Sequence, residues 1–451
     1  MLRVRPSRLI RPVAGFALIA SLARGGTEPA VNNAAVAPSI KPPDLSCDAC
    51  RMVLLDPSSV AKDSVDAQIA QTQARIKSGG NTGPQVERLG WLFVEKARAS
   101  SDPGFYKLAE QCAVCLESAN TNSLDAALLK GHVYQSLHRF KEAESLAGDL
   151  VKRRGLAFDY GLLGDVAYDE GKIVEAVAAY QHMVDLRPDL QSYSRVAQVR
   201  WITGDLPGAV EAMTMAAQAG SPLNAEPTAW TFSRLALLQL QSGDRSSAKR
   251  SASIALGIQS NCAPALLALG RVALAEGEIT RAIESFQKAA ALSHLPESQW
   301  LVADALHAAG RRDEASAVEN ELKARGASED PRSFSLYLAT RGVELDLALT
   351  LAQRELETRT DIFTHDALAW AFKGKGQTNE ARVEMRKALA ANTQDARLFF
   401  HAAVISDAAG DKQETRHWAR LAWNFNQMLF PSELEQLYRI APREKYNIKP
   451  N

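Results

Sequence analysis

A spacing of about 34 residues runs through most of this 451-residue chain, and such a period limits the possible folds more than any other feature. It is read most easily at one small residue: Ala109, Ala143, Ala176, Ala209, Ala248, Ala282, Ala315, Ala348, Ala381 and Thr415. The numbers of successive anchors differ by 34, 33, 33, 39, 34, 33, 33, 33 and 34. Twelve residues earlier stand Ala97, Gly131, Gly164, Ala197, Ala236, Gly270, Ala303, Leu336, Ala369 and Ala403, nine of them Gly or Ala. Five residues before the anchor, eight of ten positions are glycine: Gly104, Gly171, Gly204, Gly243, Gly277, Gly310, Gly376 and Gly410. His138 and Val343 are the exceptions, and Gly342 sits beside the latter. Three columns in one phase describe an array of small units stacked on their neighbours.

Each unit reads as a pair of short helices, most clearly over Ala157–Pro188. There Tyr160, Leu163, Gly164 and Ala167 recur at three- and four-residue steps, as one buried helical stripe does. Gly171 supplies a residue that can turn left-handed and end the first helix. Ala176, Tyr180 and Val184 restart the period, and Pro188 closes it. This order of an aromatic, Leu-Gly, Ala with an aromatic four residues on, then Pro resembles the tetratricopeptide repeat. The resemblance covers about Gly90 to Leu429 and implies an all-α fold, a right-handed superhelical solenoid of about ten repeats over residues 90–430. The chain departs from the pattern in places. A closing proline is clear only at Pro188, and Gly90–Thr121 and the repeat from Glu329 are weak copies. The longest step, from Ala209 to Ala248, carries an insertion around Ser221-Pro222 and Glu226-Pro227, placed in a loop between repeats. Residues 431–451 are read as a cap and tail, with Pro431 to Tyr438 covering the exposed last face.

In relatives the first helices line a concave groove. Carried over position by position, the resemblance implies that Phe158, Tyr168, Arg195, Trp201, Trp230, Arg234, Arg271, Trp300, Asp304, Tyr337, Arg341, Trp370 and Phe400 line a partner-binding groove. Trp, Tyr and Arg dominate binding hot spots because they bury much area at low entropic cost. The competing reading at each position is a ring that completes packing between adjacent first helices.

The N-terminus reads as a targeting segment. Arg3, Arg5, Arg8 and Arg11 precede the apolar run Val13–Ala23, with no acidic residue before Glu28. The run is about half the length of a membrane span, and Ser21-Leu22-Ala23 offers a small-x-small cleavage pattern. Residues 1–23 are therefore expected to be a secretory signal peptide, an organelle transit peptide being the alternative. The chain thus resembles an exported bacterial repeat protein. Residues 24–59, rich in Pro and Ala, read as a flexible tether, and 60–89 as a leading helix and linker. Lys plus Arg and Asp plus Glu number 52 each, so no basic excess favours nucleic acid.

The cysteines form two Cys-x-x-Cys pairs, Cys47/Cys50 and Cys112/Cys115, with Cys262 alone. The pairs invite a zinc reading, but the whole stretch from Arg51 to Gln111 separates them and no His is spaced to help. No metal site is therefore expected. Cys112 and Cys115, one helical turn apart, read as small apolar residues. Cys47 and Cys50, in the tether, could form a local or inter-chain disulfide or remain inert. No phosphate-binding Gly-rich loop, His-Glu-x-x-His or Gly-x-Ser-x-Gly is present. No catalytic residue and no cofactor are expected. The function expected is a non-enzymatic scaffold that binds a protein or extended peptide along the groove. The alternatives are a thiol- or metal-handling factor acting through Cys47 and Cys50, or a groove for carbohydrate.

Overall fold

The protein, a computed structural model, is described over residues 43–55, 64–79, 82–293 and 295–443. The expected signal peptide lies outside these residues. Twenty helices form ten consecutive pairs. They are α3 (Gly83–Ser100) with α4 (Gly104–Ala119), α5 (Leu124–Ser136) with α6 (Phe140–Arg153), and α7 (Ala157–Asp169) with α8 (Ile173–Leu186). Then come α9 (Leu190–Ile202) with α10 (Leu206–Gln218), α11 (Ala225–Gln241) with α12 (Arg245–Ile258), and α13 (Ala263–Ala275) with α14 (Ile279–Leu292). The last four are α15 (Pro296–Ala308) with α16 (Arg312–Glu329), α17 (Pro331–Arg341) with α18 (Leu345–Leu356), α19 (Ile362–Gly374) with α20 (Thr378–Ala388), and α21 (Ala396–Ala408) with α22 (Lys412–Asn424). The fold is an all-α solenoid of helical repeats.

The columns of small residues explain the packing. All ten anchors are buried, from Ala109 to Thr415. Opposite them the first helix must also be small. A Cβ on Gly164 would run into the Tyr180 ring, and one on Gly270 into the Phe286 ring. The aromatic four residues after the anchor thus fills the space that the glycine leaves. Adjacent first helices, such as α5 with α7, α11 with α13 and α17 with α19, touch each other. No neighbouring pair of second helices shows contact of that extent among the described residues, so the first helices line the inside of the curve.

Seven glycines of the turn column take a left-handed conformation, with φ between 71 and 89°. Gly104 does not; it opens α4, and Ser101 makes the turn at φ 56°. In the two repeats without a column glycine, His138 turns at φ 59° and Gly342 at 68°. Glu226 and Pro227, expected in a loop, lie in the first turn of α11, where a proline lacks no needed N–H. The loop is only Ala219–Asn224.

The coil returns to itself at a sequence separation of about 190. The turn inside an early pair meets the connection between two later pairs, again and again. The Ser101 and Ser293 hydroxyls lie 3.0 Å apart, and Arg359 donates to Asp169 at 2.6 Å. The Thr360 hydroxyl donates to the Glu170 carbonyl at 2.6 Å, and the Thr393 hydroxyl to that of Ile202 at 2.5 Å. The Gln427 amide donates to the carbonyls of Leu240 and Gln241 at 3.1 and 2.9 Å. Sequence separations in this set stay between 186 and 192. At two of these rungs the turn glycine is needed twice. A Cβ on Gly171 would meet the Thr360 carbonyl oxygen at 2.6 Å, and one on Gly204 the Asn392 oxygen at 2.6 Å.

Both ends depart from the sequence reading. Residues 48–53, expected in a flexible tether, form the short helix α1 (Asp48–Val53). It buries Ala49, Cys50 and Val53, and with α2 (Ser64–Lys77) it joins the apolar cluster built on α3 and α4. The apolar face of the first pair needs such a cover, since no earlier repeat supplies one. The final helix α23 (Pro431–Ile440) does not simply cap the last face; it packs on α15 and α21. The short 3-10 turn Asn426–Met428 before it rests on α11 and α13.

Gly270→Ala is expected to lower stability by about 1–3 kcal/mol through overpacking against Phe286. Gly257→Ala, with nothing within 4 Å of its Cβ, should cost nothing or gain up to about 1 kcal/mol in helix propensity. Urea titrations of the two variants check this. Gly171→Ala with Gly204→Ala should enlarge the radius of gyration in X-ray scattering by parting the rungs. Gly277→Ala, which has open space around its Cβ, should lose about 1–2 kcal/mol of stability without expansion.

Candidate partner-binding surface

The concave face divides into a covered part and an open part. In the later repeats the expected groove residues are consumed by the protein itself. Trp300 and Tyr337 are 1% exposed, Trp370 and Phe400 not at all. Trp300 meets Phe430 edge-on at 4.6 Å and Tyr337 at 6.0 Å. The Arg397 guanidinium lies over both Phe430 (4.5 Å) and Trp300 (5.1 Å), and pairs with buried Glu433 at 2.7 Å. Trp370 stacks on His401 at 3.9 Å, and its indole N–H donates to the Thr340 hydroxyl at 2.9 Å. Asp304 accepts the Ser432 N–H at 2.9 Å, and Arg341 lies 3.3 Å from Asp304 and 2.7 Å from Glu319. Arg271 donates to the Met428 carbonyl at 3.1 Å and to Glu297 at 2.9 Å. Burial holds the Asp304 carboxyl above its usual range and the Arg271 guanidinium below its own.

The expectation that Arg271, Trp300, Asp304, Tyr337, Arg341, Trp370 and Phe400 line a free groove is therefore corrected. The segment 425–441 folds back across α13, α15 and α21 and covers Arg271, Trp300 and Asp304, whereas Tyr337, Arg341, Trp370 and Phe400 are taken up by neighbouring helices. The sequence reading stopped at position within the repeat, and position does not reveal what a chain end lays over it.

The earlier repeats keep an open surface. Asp165 and Arg195, on α7 and α9, form a two-bonded ion pair at 2.8 and 2.6 Å, and the Tyr180 hydroxyl donates to the same carboxylate at 2.8 Å. Burial works against the Arg195 charge, but Asp165 outweighs it and holds the guanidinium above its usual range. One helix turn further, the Gln198 amide donates to the Tyr168 hydroxyl at 2.7 Å, and burial pushes that phenol up to about 12. The Gln198 carbonyl in turn accepts from Arg234 on α11, at a long 3.5 Å. Among the described residues no carboxylate lies within ion-pair distance of Arg234. Burial draws its guanidinium below its usual range, and Tyr168 and Glu297 only partly offset this. Trp201 is half-buried and stacks on Phe363 at 5.7 Å, while its indole N–H finds no acceptor among the described residues. Phe158 lies half-buried under the Arg187 guanidinium at 5.1 Å. Trp230, one turn before Arg234, is 40% exposed.

This open surface and the paired helices beneath it can be set beside known proteins. Residues 233–294 and 267–331 match the tetratricopeptide repeat family. Residues 233–331 carry tetratricopeptide repeats. No curated protein matches the chain. Among solved structures, Pseudomonas aeruginosa PilF is 17% identical with a TM-score of 0.38, over 48% of this chain and 96% of that one. A human IFIT1 dimer with PPP-AAAA is 13% identical with a TM-score of 0.47, over 83% and 92%. The APC/C hetero-tetramer Cut9–Hcn1 is also 13% identical, with a TM-score of 0.32 over the same shares. Likeness this distant says nothing of what the present chain binds. No described helix is long and apolar enough to cross a membrane.

Two further features lie away from the tetratricopeptide groove. Contrary to the expectation from their spacing, Cys47, Cys50 and Cys115 come together, their sulfurs all within 4.8 Å of one another. Docking of α1 on α4 closes the gap in sequence, and Cys50 is joined to Cys115 by a disulfide. Cys112 is buried against Gly90 and takes no part in the group. The second feature, a cleft of about 420 Å³ lined by Phe399, Trp418, Leu421, Phe425 and the polar Asn392 and Gln394, was invisible in the sequence. Trp418 and Phe425 hold no groove position of the repeat; Trp418 stacks on Phe399 at 5.9 Å, and Phe425 lies tilted against it at 6.0 Å.

His132, on α5 beside Trp91, generates a pH prediction. Burial, reinforced by the Arg98 charge, pulls its imidazole from 6.5 down to about 4. The folded protein keeps it neutral while the unfolded chain takes up a proton, so its contribution is whole above pH 6.5 and is lost as pH falls toward 4. His132→Gln should remove up to about 3 kcal/mol of the acid destabilisation in that window. Melting temperatures of both proteins at pH 7, 5.5 and 4.5 check this.

Proposed function

We propose that the chain is an exported, non-enzymatic scaffold that holds a partner polypeptide against the open concave face of α7, α9 and α11. An acidic group of the partner sits on Arg234. Arg234 carries the reading: a guanidinium crowded by protein, with only a neutral amide at 3.5 Å, gains most from a carboxylate brought by a ligand. Tyr168 and Trp230 on α7 and α11 supply aromatic area beside Arg234. The earlier carboxylate, Asp165, is already neutralised by Arg195, so it does not repel an acidic ligand. A Cys50–Cys115 disulfide supports the export part of the reading, because such bonds persist in oxidising compartments.

The test is affinity capture from the native host with the chain and with Arg234→Glu and Trp230→Ala, all first shown to share helical content and melting. A direct partner should bind Arg234→Glu at least about tenfold more weakly, a loss of about 1.4 kcal/mol. The interaction of Trp300→Phe, which alters only a covered ring, should stay within about twofold. Retention of every partner by the charge-reversed protein would sink the reading. Loss of a bound sugar with protein partners retained would instead favour a carbohydrate groove.

A further inference from the structure

The three gathered cysteines differ in their surroundings. Cys50 and Cys115 are wholly buried and joined to each other, whereas Cys47 is a free thiol with partial exposure. The Cys50 N–H donates to the Cys47 sulfur at 3.3 Å, which keeps that sulfur turned toward Cys50. A thiol held beside a disulfide is the arrangement in which exchange proceeds, through attack of a thiolate on one sulfur of the bond. Cys47 and Cys50 also have the two-residue spacing at which local redox pairs close.

We propose that Cys47, Cys50 and Cys115 form a thiol–disulfide exchange site, in which the bond passes from Cys50–Cys115 to Cys47–Cys50. Cys47 gives its proton to solvent, and its thiolate bonds to the Cys50 sulfur. The Cys50–Cys115 bond breaks, and the electron pair leaves on Cys115, which takes up a proton. One disulfide and one thiol exist before and after, so neither oxidant nor reductant is consumed. The exchange matters mechanically. With Cys50–Cys115 intact, α1 is stapled to α4 across a sequence separation of 65; after transfer it is held by packing of Ala49, Cys50 and Val53 and by the Gln73 amide on the Val53 carbonyl at 2.8 Å, with no covalent link. Cys47, the solvent-facing member, is where an external thiol or disulfide would enter. None of this depends on the concave-face reading, which concerns another part of the coil.

The experiment maps disulfides in the intact chain after equilibration in a glutathione buffer, acid quenching, alkylation with N-ethylmaleimide and peptide mass analysis. Wild type is expected to give two populations, one alkylated at Cys47 and one at Cys115, with Cys50 always bonded. Cys47→Ser should give Cys50–Cys115 alone, and Cys115→Ser should give Cys47–Cys50. Hydrogen exchange over residues 48–53 should be faster in Cys115→Ser than in Cys47→Ser. The disulfide map is read after denaturation, and a parallel labelling of the native variants, in which the buried Cys112 and Cys262 stay unmodified, reports that each has folded. A wild type bonded only as Cys50–Cys115, together with two alkylated thiols in Cys115→Ser, overturns the proposal. Three reduced sulfurs purified with a bound metal ion overturn it as well.

Discussion

Two helices can approach backbone to backbone only where no large side chain stands between them, and nine of the ten repeats of this chain spend one first-helix position on that requirement. The buried anchor on the second helix is matched by a Gly or Ala on nine of the ten first helices, and in two repeats an aromatic four residues after the anchor fills the gap left by a glycine. Gly164 under the Tyr180 ring and Gly270 under the Phe286 ring show how little room is left. Neither helix of a pair could bury its stripe alone, so stacking, curvature and the existence of an inner face all follow from that contact.

The inner face is then shared between two uses. In the later repeats the chain end fills part of it: Phe430 meets Trp300, Glu433 neutralises Arg397, and the Ser432 N–H donates to Asp304. In the earlier repeats no segment of the described chain does so, and the polar ladder Tyr168–Gln198–Arg234 ends on a cation without a carboxylate. The same residue types at the same repeat positions are therefore core in one half and candidate surface in the other. What separates them is the path of residues 425–441 over Arg271, Trp300 and Asp304, and the packing of adjacent first helices over Trp370 and Phe400.

The sequence displayed the repeat, its phase and its helix pairs, because those depend on local spacing that a reader can count. The small-residue columns were visible for the same reason. Features that depend on distant segments meeting were not. Cys50 and Cys115 looked too far apart to interact, since nothing in residues 43–55 announces a helix docked on α4. Trp370 looked like a binding aromatic, because its covering by His401 and Thr340 requires neighbouring first helices at a known angle. Of the turn column, Gly171 and Gly204 look identical to Gly277, and only the coil's return shows that the first two also accommodate a carbonyl.

That return changes how the array should come apart. A straight stack loses its end units one at a time, because each unit leans only on those before and after it. Here Asp169, Ile202 and Gln241 each hold a segment one full winding further along the chain. Melting the last repeats therefore also strips partners from the middle of the molecule. The ends are thereby denied independent fraying, and loosening at one edge is felt on the neighbouring winding. The solenoid should unfold as a wound body with lateral cooperativity, closer to a globular domain than to a ladder of separate units.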